Sequence, residues 1–203
     1  GTVDDLKDMI RKINRIRPKM VVATGNFDAS SRKLLAKINE SIPTILADGT
    51  DFCEVWLNGG QGLILDIHKL ISTPSKQNDE TTDNIQTKWL NMQLEQCKTS
   101  EHSTFIFLNG HVKQLPKDIC QHIARSKVSA VFGIAEENYQ EEIKVEKEAT
   151  VPHDSDKDED SDSDVEDRDL ARHTTFSGGN RILNQIDIDD EGKWTVKDLL
   201  SGS

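Results

Sequence analysis

Few of the residues that mark a secreted, membrane-spanning or metal-stapled chain occur here. Only three cysteines stand among 203 residues, Cys53, Cys97 and Cys120. They are odd in number, show no CxxC spacing and lie near no histidine cluster, which argues against a disulfide framework or a zinc site. A reduced, intracellular setting, cytoplasmic or nuclear, is the expectation. No apolar run approaches the roughly 20 residues that cross a bilayer. The N-terminus reads as an amphipathic helix with acidic residues rather than a signal peptide, so no membrane partner is expected. Aromatic residues make up 5% of the chain, and no RNA-binding aromatic motif is among them. The histidines, at 68, 102, 111, 122, 153 and 173, have no ligand spacing. No Gly-x-Ser-x-Gly nucleophile elbow occurs. Gly59, Gly60 and Gly62 are not followed by the Lys-Ser/Thr of a phosphate loop and read as a hairpin turn. A chain of this length can bury enough surface to fold as one domain without a disulfide or a metal.

Charge is unevenly placed. The formal net charge is −11, yet Asp154 to Asp169 alone holds ten acidic and two basic residues, a net of −8, leaving −3 for the rest. Residues 136–169 have few large apolar side chains, and their second half is too charged to bury anything. Residues 148–170 are therefore expected to form a disordered acidic loop. Ser155, Ser161 and Ser163 each have an acidic residue three positions on, the pattern favoured by acid-directed kinases, and phosphorylation there would add about 1.5 to 2 negative charges per site. The segment also reads as a passive solubilising loop. From Gly1 to Lys37, nine Lys/Arg face four Asp. That excess reads as a solvated helix face, with phosphate contact as its alternative.

Along the chain, helical and extended patterns alternate. Val3, Leu6, Met9, Ile10, Ile13 and Ile16 have the three-and-four spacing of a helix with one buried stripe, ended by Pro18. MVVAT (20–24) reads as a buried strand opening into a Gly25-Asn26 loop. A helix is expected over Ser30–Asn39 and a strand over Thr44–Ala47. Val55–Leu57 and Leu63–Ile67 form an expected hairpin about Asn58-Gly59-Gly60. A helix follows over Asn84–Cys97, then a strand over Thr104–Leu108, a helix over Pro116–Ser126 and a strand over Val128–Phe132. Order resumes near Ala171, and Ile182–Ile188 with Lys193–Val196 reads as a closing hairpin. Trp56, Trp89 and Trp194 are most simply core residues, although any of them at an edge could anchor a partner.

These segments, in this order, resemble the calcineurin-like metallophosphoesterases, most closely the small single-domain calcineurin-like phosphoesterase-domain proteins. INRIRPKMVVATGN is similar to the family's helix, strand and Gly-Asp loop, and SIPTILADGTD to the strand leading into Gly-Asn-His-Asp. FCEVWLNGGQGLILDIH and TKWLNMQLEQC resemble the aromatic strand pair and the Trp-Leu helix. TFIFLNGH and KVSAVFGIAEEN stand where strands ending in His and in Gly-His-x-His would be, and RILNQIDIDDEGKWTVKDL resembles the closing hairpin. The resemblance implies an α/β sandwich of mixed sheets flanked by helices. The expected domain comprises residues 1–147 and 171–203, interrupted by the acidic insertion.

In that family two metal ions about 3.5–4 Å apart activate water and clamp the phosphate. They need carboxylate, amide and imidazole donors at strand ends. The matched positions here hold Asn26 for the bridging aspartate, Gly49 and Thr50 for the ligand asparagine and catalytic histidine, and Asp51, which is retained. Asn109 stands for a histidine ligand, with His111 two residues on, and Ile134-Ala135-Glu136-Glu137 replaces Gly-His-x-His. The first family motif would precede Val3. The expectation is a degenerate domain with no metal, no cofactor and no catalytic residue, acting in protein interaction as part of a longer chain. The expected partner is a protein, of basic character where the acidic run steers it, with Trp194 and Val196 of the hairpin as exposed anchors. Two alternatives stay open: a residual metal-dependent phosphoesterase completed by an upstream strand, and an RNA-associated or ligand-sensing domain. Asn26, Asp28, Asp48, Asp51, Asn109, His111 and Glu137 either line a pocket at the strand ends or cap helices and turns.

Overall fold

The computed structural model describes residues 3–57, 59–71, 85–135, 139–144, 173–178 and 183–200. Helix α1 (Val3–Ile16) carries Asp4 and Asp5 in its first turn and Arg15 in its last, signs that complement the helix dipole. It ends where Arg17 takes a positive φ of 53° and donates its N–H to Ile13 O at 2.9 Å, ahead of Pro18. Strand β1 (Val21–Thr24), helix α2 (Ala29–Leu35) and strand β2 (Thr44–Ala47) follow, and β1 pairs with β2 in parallel. The α-helix stops at Leu35, short of the expected Asn39. Beyond it the Lys37 and Ile38 amides bond three residues back, to Leu34 O and Leu35 O, still turning Ile38 and Ile42 into the core.

Strands β3 (Cys53–Leu57) and β4 (Gly60–Leu65) form the expected antiparallel pair. The second strand ends before Asp66, and Ile67 opens the short helix α3 (Ile67–Ile71). Asp66 causes the break, since its Oδ1 accepts the His68 N–H at 3.1 Å and turns the chain. Helix α4 (Ile85–Thr99), strand β5 (Ser103–His111), helix α5 (Lys117–Arg125) and strand β6 (Val128–Ile134) complete the alternation. Two strands were not expected: β7 (Tyr139–Lys144) and β8 (His173–Gly178). They pair with each other, and β8 pairs in parallel with β6. The hairpin of β9 (Asn184–Ile188) and β10 (Trp194–Asp198) closes the described chain.

The large sheet is six-stranded and mixed, in the order β3-β4-β5-β6-β8-β7, with both outer strands antiparallel to their neighbours. One face of β4 and β5, through Leu63, Leu65, Ile106 and Leu108, packs on Leu90 and Leu94 of α4 and Ile123 of α5. The other face, through Ile64, Phe105 and Phe107, packs on Val22, Ala47, Ile186, Ile188 and Trp194. The far side of β1 and β2, through Val21, Ala23 and Leu46, is covered by Ile10 and Ile13 of α1 with Leu34 and Leu35 of α2. The order of layers is therefore helix, small strand pairs, large sheet, helix. This is a mixed α/β fold, and the alternation of inward residues along TFIFL serves two cores at once.

Ile106 sits at the centre of the large sheet with no exposure. Truncating it to Ala is expected to cost about 2–5 kcal/mol, because the surrounding layers collapse only partly into the space left. Urea denaturation measures that cost, and hydrogen exchange should show the amides near Val21, Ile106 and Val131 among the slowest.

Candidate functional site

Three of the parallel strands of the large sheet and both strands of the small pair end on one rim. The end of β1 lies against the end of β6, since a Cβ on Gly25 would meet Ile134 Cδ1 at 3.6 Å. The residue after β2's Asp48 lies on the ends of β4 and β5: a Cβ on Gly49 would stand 2.3 Å from Asn109 Nδ2 and 3.4 Å from the Asp66 carboxyl. Rims of this kind, at the carboxyl ends of strands, are where open α/β sheets bind ligands. The structure brings Gly25, Asp48, Gly49, Asp66, Asn109 and Ile134 together. Asn26 is exposed in the β1 loop, and Ala135 is buried just past β6. Glu137 lies outside the described residues, as do Ser155, Ser161, Ser163 and all of 148–170.

Asn109 is the hub of this rim and is 2% exposed. Its Oδ1 accepts the Ile67 N–H at 2.8 Å and its Nδ2 donates to Asp66 Oδ1 at 3.0 Å. Asp66, 6% exposed, also accepts the His68 N–H at 3.1 Å and faces the Lys69 ammonium at 3.7 Å. Its backbone N–H and C=O are both held by the Gln86 side chain at 2.8 Å, which ties α4 to the rim. Neither Asp66 nor Gln86 is evident from the sequence; the one available signal is an acid closing the apolar run GLIL, at a strand's carboxyl end.

The second acid of the rim is Asp48. Its Oδ2 accepts from Arg32 Nη2 of α2 at 2.5 Å, and its Oδ1 accepts the Thr50 N–H at 3.1 Å and the Thr50 hydroxyl. Burial pushes its carboxyl up, but the Thr50 hydroxyl and amide and the Arg32 guanidinium outweigh burial and hold it below the usual carboxylate value. Arg32 also donates through Nε to Phe27 O at 3.1 Å, so it braces the β1 loop against β2. No sequence pattern links Arg32 to an acid on the next strand.

The other expected site residues have local work. Asp28 caps α2, accepting the Ser31 N–H at 2.7 Å, and that bond lowers its carboxyl. Asp51 Oδ1 accepts the Phe52 N–H at 2.9 Å. His111 is half-buried at the end of β5, where the chain enters a short 3-10 turn. Among the described residues no group of three or more His, Cys, Asp and Glu could hold a metal ion. The donor set does not fit a pair of divalent ions. Asp48 is bound to a guanidinium, Asp66 to an amide and an ammonium, and Asn109 Oδ1 already accepts a backbone N–H. Hard cations need anionic oxygens free to face them.

The hairpin anchors require correction. Trp194 turns inward, half-buried, with its ring edge-on to Phe105 at 5.5 Å, because alternation along β10 points it at the large sheet. Val196 is exposed on the same strand. Trp56, grouped with the core tryptophans by sequence, is 60% exposed instead: it lies on an outermost strand. No family model, curated protein or solved structure matches this chain.

Three expectations follow from the rim. Gly49→Asn should lower stability by about 1–3 kcal/mol, since its Cβ is driven into Asn109. Asn109→Ala should cost about 1–3 kcal/mol by leaving the Ile67 N–H unpaired in the interior and removing one donor from Asp66. Because the folded Asp48 carboxyl titrates below its unfolded value of 3.8, its contribution is complete above pH 3.8 and is lost as pH falls through the folded pKa. The gap in urea midpoint between the parent and Asp48→Asn should therefore be full above pH 3.8 and shrink as pH falls below it.

Proposed function

We propose that this chain is a non-catalytic, pseudophosphatase-like domain on the calcineurin-like metallophosphoesterase sandwich plan, and that it acts by binding a protein. The observation that carries the reading is the self-pairing of the rim. Where a hydrolase presents charge to metal and phosphate, the two rim acids here are neutralised by Arg32 and Lys69 and hydrogen-bonded to Thr50 and Asn109. Energy that a catalytic site keeps in unmatched charge is spent here on holding α2, α3 and α4 to the strand ends. The fold then offers surfaces, and the Asp154–Asp169 run, with its net of −8, supplies long-range attraction for a basic partner. Phosphorylation of Ser155, Ser161 or Ser163 would strengthen that attraction.

A second reading rests on a separate feature. An open groove of about 270 Å³ between α1 and α2 is lined by Lys7, Ile10, Arg11, Asn14, Leu34 and Lys37. Lys7 and Arg11 are paired with Asp4 and Asp8, so an anionic ligand, either nucleic acid or a small phosphate ester, would bind there by displacing those carboxylates.

Excess Mn²⁺ or Zn²⁺ should leave the melting temperature of the chain unchanged and elicit no turnover of an aryl phosphate, because an ion held by the native state alone stabilises it by mass action. A rise of several degrees together with metal-dependent turnover points instead to a residual phosphoesterase. With a captured protein partner, deleting Asp154–Asp169 should slow association and flatten its salt dependence without unfolding the domain.

A further inference from the structure

The large sheet has two outer strands of different character. β7 exposes Gln140, Glu141 and Glu142, the charged edge by which proteins discourage further strand pairing. β3, Cys53–Leu57, carries one charge, Glu54, among Cys, Val, Trp and Leu. One side of β3 is bonded to β4, and its other side has no strand among the described residues.

Side chains on the α4 face of this edge form a strip. Trp56 pairs in register with Gln61, whose amide bonds Gln93 of α4 at 2.9 Å, so Trp56 stands on that face. Its ring meets His102 edge-on at 5.8 Å, and its Nε1 donates to Glu54 Oε1 at 3.4 Å. At the start of the strand Phe52 packs on Trp89 at 5.1 Å. On α4, Ile85 and Met92 lie on the same side as Trp89, at 72% and 59% exposure. An open row of backbone donors and acceptors beside apolar side chains is the arrangement by which a sheet accepts an added strand. The surrounding charge is acidic: Asp51, Glu54 and Glu101 are exposed, against Lys88.

We infer that β3 is a docking edge that takes an extended segment of a partner protein, with a basic residue flanked at alternate positions by apolar or aromatic ones. The inference rests on the reading of the chain as an interaction module and names what that module binds. Alternation dictates the pattern. A strand added to β3 turns every second side chain toward α4, where it meets Phe52, Glu54 and Trp56 in turn. Apolar, basic and aromatic side chains two residues apart match that series as cross-strand pairs.

The test uses the full chain and the peptide Thr-Val-Thr-Lys-Thr-Tyr-Thr, with counterparts carrying Glu for Lys or Pro for the central Thr residues. The Lys peptide should bind at least about tenfold tighter than the Glu peptide, and Trp56→Ala should lose about tenfold or more. Glu54→Lys should reverse the preference between the two peptides, the Pro peptide should not bind, and bound peptide should slow hydrogen exchange at residues 53–57. Equal binding of the Lys and Glu peptides, indifference to Trp56→Ala, or protection at 194–198 in place of 53–57 would overturn the inference. Capture of a protein partner that is unaffected by Trp56→Ala also overturns it, while leaving the interaction reading intact. Protection of β3 by the Lys peptide in a chain that hydrolyses phosphate esters with metal sustains the docking edge and removes the non-catalytic reading.

Discussion

The side-chain amide of Asn109 holds the rim together. From the end of the central strand β5 it reaches the Ile67 N–H on one side and the Asp66 carboxylate on the other, and it fills the space that any side chain at Gly49 would need. A buried amide with both ends bonded is stabilising, whereas one left half-bonded costs more than an apolar residue in its place. The start of α3, the hold of Gln86 on Asp66 and the approach of the β2 loop all depend on that satisfaction. The same bonds leave the rim with little to offer a cation. Structure and proposed function are thus coupled at one residue.

Polar closure at the strand ends moves the informative surface elsewhere. The sheet interior is apolar on both faces and is covered on both. What stays open lies at the margins: the Trp56 edge of β3, the basic groove between α1 and α2, and Val196 on β10. Exposing a tryptophan is unfavourable unless something covers it, and this one stands on an edge with no further strand among the described residues and with one charge, Glu54, where β7 carries several. An acidic run elsewhere in the chain and acidic residues around β3 favour partners of the same sign of charge, so attraction at a distance and recognition at contact are consistent with each other.

The sequence made the interior legible and left the margins obscure, for physical reasons. TFIFL read as a buried strand, MVVAT as a strand that proves half-buried, and the stripes of α1 and α4 as core-facing, because these patterns carry the weight of apolar burial. β7 was missed since Gln140, Glu141 and Glu142 are three exposed polar residues in a row, which leave no apolar alternation to read. LILDI read as one strand because a single aspartate bonding two residues ahead carries no pattern. Trp56 and Trp194 exchanged roles: alternation fixes which residues share a face, but not whether an outer strand's face is covered. At the rim, Gly49 and Asn109 were among the expected site residues and come together there. Arg32, Asp66 and Gln86 were not, because their partners are distant in sequence and become neighbours only through the fold.

The central claim is that the rim acids are already matched by the protein's own groups. Paramagnetic broadening of backbone amide signals by Mn²⁺ tests it directly, since the effect reports where an ion resides whether or not any reaction follows. The account predicts that Mn²⁺ at millimolar excess leaves the amides of residues 48–51, 66–68 and 109–111 as sharp as those of the buried sheet centre. Selective broadening of those three stretches at low, near-stoichiometric Mn²⁺ would contradict it, by showing that the Asp48 and Asp66 carboxylates open to a metal ion.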